Sequence, residues 1–140
     1  MLLTVDNSSS IPLYQQIVDQ IREKILTGQL RAGDPLPSIR QLAADLLISV
    51  ITTKRAYQEL ENEGLIQTRP GHGTFVSELR RDYLQQVGLR EVEGRLRDAV
   101  RTASRLGVSR AVVEDLFKKV LDSEAVDGPI GRDDSGASRD

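Results

Sequence analysis

The fold of this chain is decided between Pro37 and Val76, where the sequence reads PSIRQLAADLLISVITTKRAYQELENEGLIQTRPGHGTFV. Ser38 followed by Gln41 has the spacing of a capping box, in which each side chain satisfies a backbone N–H at a helix start. Ser49 is a residue type favoured at the N-cap of a second helix, and Gly64 is placed to end that helix. Two helices joined by a short turn predict a helix-turn-helix, whose second helix enters the major groove of DNA.

The end of the same stretch predicts a β-hairpin. Residues 65–68 and 74–76 are rich in β-forming side chains, and they flank the turn-forming residues 70–73. Two helices followed by such a hairpin make a winged helix. We therefore expect a mainly α chain with a small β-wing, an α+β fold.

Fixed-spaced residues on both sides of the turn carry a resemblance to a known family. Upstream the chain reads GQLRAGDPLPSIRQLA from Gly28 to Ala43; downstream come Ala56-Tyr57, Leu60, Gly64-Leu65-Ile66 and GHGTFV from Gly71 to Val76. By these residues the chain resembles the GntR family of transcription regulators, over roughly Pro12 to Val76. The short remainder after the wing resembles the YtrA-like branch of that family.

The N-terminal part of the chain predicts a supporting helix. Residues 1–10 end in a run of Asn and Ser and are expected to form a flexible polar lead. After Pro12, which suits a helix start, apolar side chains recur at helical spacing. This predicted stripe consists of Tyr14, Ile17, Val18, Ile21 and Ile25.

Composition excludes several function classes. The 140 residues include no cysteine and one histidine, His72, so a disulfide framework, a thiolate zinc site and a histidine-based catalytic triad are not available. The sequence has no phosphate-binding loop, and we predict no enzyme activity, catalytic residue, cofactor or metal. No apolar run of transmembrane length and no signal peptide occur, which predicts a cytoplasmic protein without a membrane partner.

Charge is informative only locally, because the net charge of −2 does not indicate nucleic acid. Residues 46–58 contain Lys54 and Arg55 and no acidic residue, and residues 64–77 contain Arg69 and no acidic residue. Acidic residues gather at the far end of the second helix. This distribution favours docking on DNA through the start of that helix and the wing. The low overall charge leaves open a winged-helix protein-interaction module without specific DNA binding.

The candidate DNA-contacting residues are spread over the two helices and the wing. They are Ser38, Arg40, Ser49, Val50, Ile51, Thr52, Lys54, Arg55, Arg69, Gly71, His72 and Gly73. The resemblance implies that Arg40 reaches DNA. Ser38 and Thr52 are either phosphate donors or ordinary cap and surface residues. Lys54 and Arg55 are adjacent and cannot both point straight into the groove. At the wing tip, His72 and Arg69 are candidates for a phosphate or the minor groove.

Val50 and Ile51 depart from the wider family, which commonly has Arg and then a polar residue here. Apolar side chains cannot accept or donate hydrogen bonds to bases, but they can pack on a thymine methyl group. Readout would then depend on A·T-rich contacts and DNA shape. The alternative is that one of them folds back onto the core.

The C-terminal part predicts two amphipathic helices that need a partner. From residue 79 to 106, apolar residues alternate at three and four positions, as in a coiled-coil seam. This seam consists of Leu89, Val92, Leu96, Ala99, Ala103 and Leu106. Gly107 ends the helix, Ser109 caps a second one, and that helix carries its own apolar face. We expect a homodimer, with packing against the winged helix in a monomer as the alternative.

Residues 103–112 also imitate a helix-turn-helix turn, but acidic residues follow at once and no wing does, which disfavours a second DNA reader.

The expected segments are a winged helix-turn-helix DNA-binding domain (1–77), a helical dimerisation region (78–124) and a disordered tail (125–140). The function expected is a homodimeric, sequence-specific transcriptional repressor on a near-palindromic operator. The resemblance implies control of a transport operon, and an unknown small-molecule effector stays open as a partner.

Overall fold

The structure is a computed structural model that describes residues 1–79 and 81–124. The predicted tail at 125–140 lies outside these residues. Along the described ranges the elements are α1 (Leu13–Leu26), β1 (Pro35–Leu36), α2 (Ile39–Leu46), α3 (Val50–Asn62), β2 (Ile66–Arg69), β3 (Gly73–Val76), α4 (Arg81–Leu106) and α5 (Arg110–Ser123). The predicted α+β fold with a β-wing is confirmed. The chain forms two compact units, one from Met1 to Leu89 and one from Arg90 onward.

Serine hydroxyls begin both helices of the helix-turn-helix, as predicted. The Ser38 hydroxyl accepts a hydrogen bond from the Gln41 backbone N–H at 3.0 Å, and the Ser49 hydroxyl accepts one from the Thr52 N–H at 3.0 Å. The reciprocal half of the predicted capping box is wrong, because the Gln41 amide donates to Asp45 at 2.7 Å instead. The charged carboxylate one helical turn along accepts a strong hydrogen bond from the amide N–H, and this bond directs the Gln41 side chain toward the C-terminal end of α2.

The core of the first unit lies between α1 and α3. The predicted stripe of α1 is buried at Ile17, Val18, Ile21 and Ile25, and α3 buries Thr53, Ala56, Tyr57 and Leu60. The two polar side chains among them are satisfied: the Thr53 hydroxyl donates to the Ser49 carbonyl at 3.1 Å, and the Tyr57 hydroxyl donates to the Pro37 carbonyl at 2.7 Å. Burial raises the pKa of Tyr57 far above its ordinary value, so the phenol remains a neutral donor.

The sheet has a strand that the sequence did not indicate. Its order is β1-β3-β2, all antiparallel, with Leu36 opposite Thr74 and Ile66 opposite Val76. The two-residue strand β1 is too short to show a period-2 pattern. Leu36, predicted to pin the connector to the core, is 7% exposed.

The prediction of a flexible lead at residues 1–10 is wrong. Leu3 is buried with the core, and two glutamines of α1 hold the segment by its backbone. The Gln20 amide accepts from the Thr4 N–H at 3.1 Å and donates to the Thr4 carbonyl at 2.6 Å. Gln16 does the same with Asp6, at 2.8 and 3.0 Å. Each glutamine side chain therefore bonds both the N–H and the carbonyl of one residue, as a neighbouring strand would. These bonds hold the start of the chain against α1.

The end of α3 is tied to α1 and to the first turn of α4. Arg22 of α1 donates to both carboxylate oxygens of Glu63, from Nε at 3.0 Å and from Nη2 at 2.6 Å. The Tyr83 hydroxyl of α4 donates to the Glu63 backbone carbonyl at 2.6 Å. Leu79 and Leu84 also pack on the core, and Val87 is buried. The first compact unit therefore extends beyond residue 77, the predicted end of the winged-helix domain.

The second unit consists of the rest of α4 and α5. Ser109 caps α5 by accepting from the Val112 N–H at 3.3 Å, and Gly107 ends α4 with φ +73°. Within the described residues α5 buries none of its side chains. The apolar faces of both helices are largely exposed: Leu96 is 44% and Phe117 is 47% accessible. In residues 1–79 and 81–124, no helix combines the length and the apolar character that crossing a membrane requires.

Candidate nucleic-acid interface

The turn between α2 and α3 is formed by residues 47–49. Leu47 adopts the left-handed conformation, with φ 58° and ψ 45°, and its side chain is 91% exposed. A left-handed backbone at a residue with a Cβ costs about 1–2 kcal/mol. Ile48, next along, donates its N–H to the Ala43 carbonyl at 3.0 Å and packs against the core. The turn thus fixes the angle at which α3 leaves α2.

The face of α3 opposite its buried side is exposed. Ile51 and Arg55, four residues apart, share this face with Gln58. Ile51 is 80% exposed and Val50 is 42% exposed. The alternative in which one of these residues folds back onto the core is therefore wrong, because both are exposed. Both lie in the first turn of α3, the part that enters the groove in helix-turn-helix proteins.

Lys54 and Arg55 are both exposed, but their side chains differ in surroundings. The Arg55 guanidinium carbon lies 3.7 Å from the ring centroid of Tyr14, in the first turn of α1. This distance is that of a cation–π stack. Arg55 is therefore directed across α3 toward α1, which separates its position from that of Lys54.

A second stack organises the wing. Arg69 lies with its guanidinium carbon 4.7 Å from the ring centroid of Phe75 on the neighbouring strand. The tip closes by a hydrogen bond from the His72 N–H to the Arg69 carbonyl at 2.8 Å. Gly71 and Gly73 have φ +80° and +112°, which the tight turn requires. His72 is exposed at the tip, so its imidazole faces solvent.

The hydroxyl groups at the helix starts have structural roles. Ser38 and Ser49 are N-caps, and the Ser49 hydroxyl also donates to the Thr52 hydroxyl at 2.8 Å. Ser49 and Thr52, both predicted site residues, are thus in direct contact with each other. Arg40 is exposed in the first turn of α2. With Arg40, exposed basic side chains occur on α2 as well as on α3 and the wing.

Two aromatic residues hold the arginines and are not among the predicted site residues. The sequence predicts Tyr14 only as the start of the apolar stripe of α1, and Phe75 only as a residue of the wing hairpin. Both are half-buried, so one part of each ring packs inward and the other part is available to an arginine. Tyr14 and Arg55 lie on different helices, and their sequence separation gave no signal of the contact.

The first unit is a winged helix-turn-helix domain of the nucleic-acid-binding class. It has two capped helices joined by a fixed turn, an exposed face on the second helix and a hairpin that carries an arginine. The family described as "Bacterial regulatory proteins, gntR family" matches residues 13–76. The chain is 34% identical to the HTH-type transcriptional repressor YtrA of Bacillus subtilis (strain 168) over 119 residues, which cover 85% of this chain and 92% of the relative. The chain belongs to the GntR family and is a winged helix-turn-helix transcriptional regulator.

Solved structures agree with this assignment. A GntR family transcriptional regulator from Listeria monocytogenes superposes with a TM-score of 0.64 at 33% identity, covering 82% of this chain and 98% of that one. A transcriptional antiterminator from Listeria monocytogenes EGD-e superposes with a TM-score of 0.66 at 30% identity, covering 85% of this chain and 89% of that one. The predicted GntR resemblance, including the YtrA-like relatives, is confirmed. These relatives are described as regulators of transcription and not as enzymes.

Proposed function

We propose that this chain is a homodimeric, sequence-specific DNA-binding repressor whose operator is a near-palindrome controlling genes of a transport system. The observation that carries the proposal is the exposed first turn of α3, where Val50 and Ile51 lie uncovered beside Lys54 and Arg55. The similarity to a repressor supports the direction of regulation. The proposal that the operator controls transport genes rests on the resemblance to the YtrA-like branch alone.

In this proposal α3 enters the major groove and the wing approaches the flanking backbone. Arg40 contacts DNA from the start of α2. Thr52 and the two capping serines, Ser38 and Ser49, lie at helix N-termini, which favour phosphate. Arg69 and His72 reach the backbone or the minor groove from the wing, whose glycines Gly71 and Gly73 allow close approach.

The proposed dimer forms through the seam of α4 and the apolar face of α5. The large side chains of the seam are accessible: Leu89 by 62%, Val92 by 58%, Leu96 by 44% and Leu106 by 72%. Such a continuous apolar surface is typical of a subunit interface. A two-fold dimer presents two recognition helices, which matches a two-fold operator.

The experiment that tests this function is selection of bound sequences from a random pool of duplex DNA by the full chain. A DNA-binding repressor is expected to enrich inverted half-sites and to bind them with an affinity that falls as salt rises. If no sequence is enriched and binding to duplex is absent, the chain is instead a protein-interaction module built on a winged helix.

Arg40→Ala is expected to weaken binding to the selected operator by about 1–3 kcal/mol, the contribution of one good base or phosphate contact. Because Arg40 is exposed, the melting temperature of the free protein should hardly change. Fluorescence anisotropy with labelled operator and thermal denaturation measure the two quantities. A variant that melts much earlier but binds normally per folded molecule would make Arg40 a structural residue.

Replacing operator thymines by uracil is expected to cost roughly 0.5–1 kcal/mol at each position that lies beneath Val50 or Ile51. Uracil lacks only the thymine methyl group and keeps every hydrogen-bonding group. Val50→Ala or Ile51→Ala should make binding insensitive to this exchange, with little loss of stability because both side chains are exposed. Thymines outside the half-sites are the internal control. If uracil has no effect at any position, the two residues do not contact methyl groups.

A further inference from the structure

The contact between Arg55 and Tyr14 joins α3 to α1, which lies outside the two helices of the helix-turn-helix. Arg55 follows Ile51 by four residues, so its Cα lies on the exposed face of α3. Its guanidinium nevertheless lies over the Tyr14 ring at 3.7 Å, on α1. The side chain therefore leans from the centre of the exposed face to the flank of α3 that borders α1.

Position on the flank decides what the guanidinium can bind. A helix in the major groove meets base edges along its central face, and the sugar-phosphate backbone lies along its flanks. A stacked guanidinium uses its flat face on the ring and keeps its N–H groups in the plane of the fork. That fork matches two oxygens of one phosphate. Stacking also limits the rotamers of Arg55, so less entropy is lost when it binds.

We propose that Tyr14 is a positioning residue that holds Arg55 against a backbone phosphate at the rim of the major groove, and that Arg55 does not read a base. The proposal rests on the DNA-binding function proposed above. Lys54 lies on the other side of Ile51, at the spacing of three residues, and in this proposal it is the basic side chain of α3 that reaches into the groove. The sequence left open which of the two, Lys54 or Arg55, points into the groove, and this proposal assigns that position to Lys54.

The test compares the full chain carrying Arg55→Gln, Tyr14→Leu, Tyr14→Phe or the combination of Arg55→Gln with Tyr14→Leu. Dissociation constants are measured for the selected operator and for an unrelated duplex over a series of salt concentrations. Arg55→Gln is expected to weaken both DNAs by the same factor. It should also reduce the slope of log K against log salt by about one for each recognition helix.

Tyr14→Leu is expected to weaken both DNAs about threefold to tenfold, since Arg55 keeps its charge but loses its support. Tyr14→Phe retains the ring and should bind like the wild type. In the Arg55→Gln background, Tyr14→Leu should have no further effect on binding. A purely structural role for Tyr14 would instead weaken binding equally with and without Arg55, and that result overturns the proposal.

Further results of these measurements also decide the proposal. If Arg55→Gln changes the preferred base at one position of the operator, Arg55 reads a base and the proposal is wrong. If Tyr14→Leu does not fold, Arg55→Lys replaces it as the test. A lysine keeps the charge without the flat fork, so binding equal to the wild type would overturn the proposal and uniformly weaker binding with an unchanged salt slope would support it. Failure of the wild type to bind DNA would refute the proposed function together with this inference.

Discussion

Leu96→Glu is expected to turn the protein into monomers and to abolish tight operator binding. Leu96 is the central large side chain of the seam on α4, and it is 44% exposed in the isolated chain. In the proposed dimer that exposed surface is covered by the partner subunit. A carboxylate placed there would lose its water without gaining a cation, which costs several kcal/mol per subunit.

The loss of operator binding follows from the loss of linkage between two half-sites. A dimer binds the second half-site at a high effective concentration, which raises affinity by about 10²–10⁴-fold over one site alone. The monomer should therefore keep weak half-site binding, because the first unit has its own core of α1, α3 and the sheet. Analytical ultracentrifugation gives the mass, and binding to full and half operators gives the linkage.

Arg101→Glu is the matched control for this variant. Arg101 is on the same helix, on the side away from the seam, and its side chain is 70% exposed. It introduces the same carboxylate but should leave the dimer intact. If Leu96→Glu remains a dimer, the seam packs within one chain and the interface lies elsewhere. The same sedimentation run distinguishes these cases.

Features of the fold that are local in sequence were predictable. Ser38 and Ser49 act on N–H groups three residues away, and Gly64 supplies a positive φ of +80° at a helix end. Local chemistry of this kind does not depend on the rest of the fold. The same local signals predicted the order of the two helices and the hairpin, and the resemblance to a family added that Arg40 reaches DNA.

Features that join distant parts of the chain were not predictable. The Gln20 amide reaches Thr4 across 16 positions, and the two hydrogen bonds turn a segment that looks polar and flexible into an ordered one. Glutamines on a helix surface are ordinarily solvated, so nothing in their type indicates this contact. The stack of Arg55 on Tyr14 is of the same kind. It depends on the crossing angle between α1 and α3, which local patterns in a single sequence do not predict.

The ion pair of Arg22 and Glu63 is another contact between distant parts of the chain, and its loss should have a large effect on stability. Arg22→Ala is expected to lower the free energy of unfolding by about 2–3 kcal/mol. The Arg22 side chain is 11% exposed, and it also contacts Asp19 through Nη1 at 3.2 Å. Its removal leaves two partly buried carboxylates without this guanidinium. Their exposure of 28% and 29% admits some water, so the loss is set below the 3–5 kcal/mol of a fully buried pair.

An exposed pair in the same chain provides the control. Arg97 and Glu93 on α4 are also 2.6 Å apart, but their side chains are 63% and 60% exposed. Arg97→Ala should cost only about 0.3–0.5 kcal/mol, because water screens the pair. Chemical denaturation at several protein concentrations separates these effects from dimer dissociation. In the Arg22→Ala background, Glu63→Gln should recover part of the loss by removing one carboxylate charge. Equal losses for Arg22→Ala and Arg97→Ala would show that the partly buried α1–α3 ion pair contributes no more to stability than an exposed pair does.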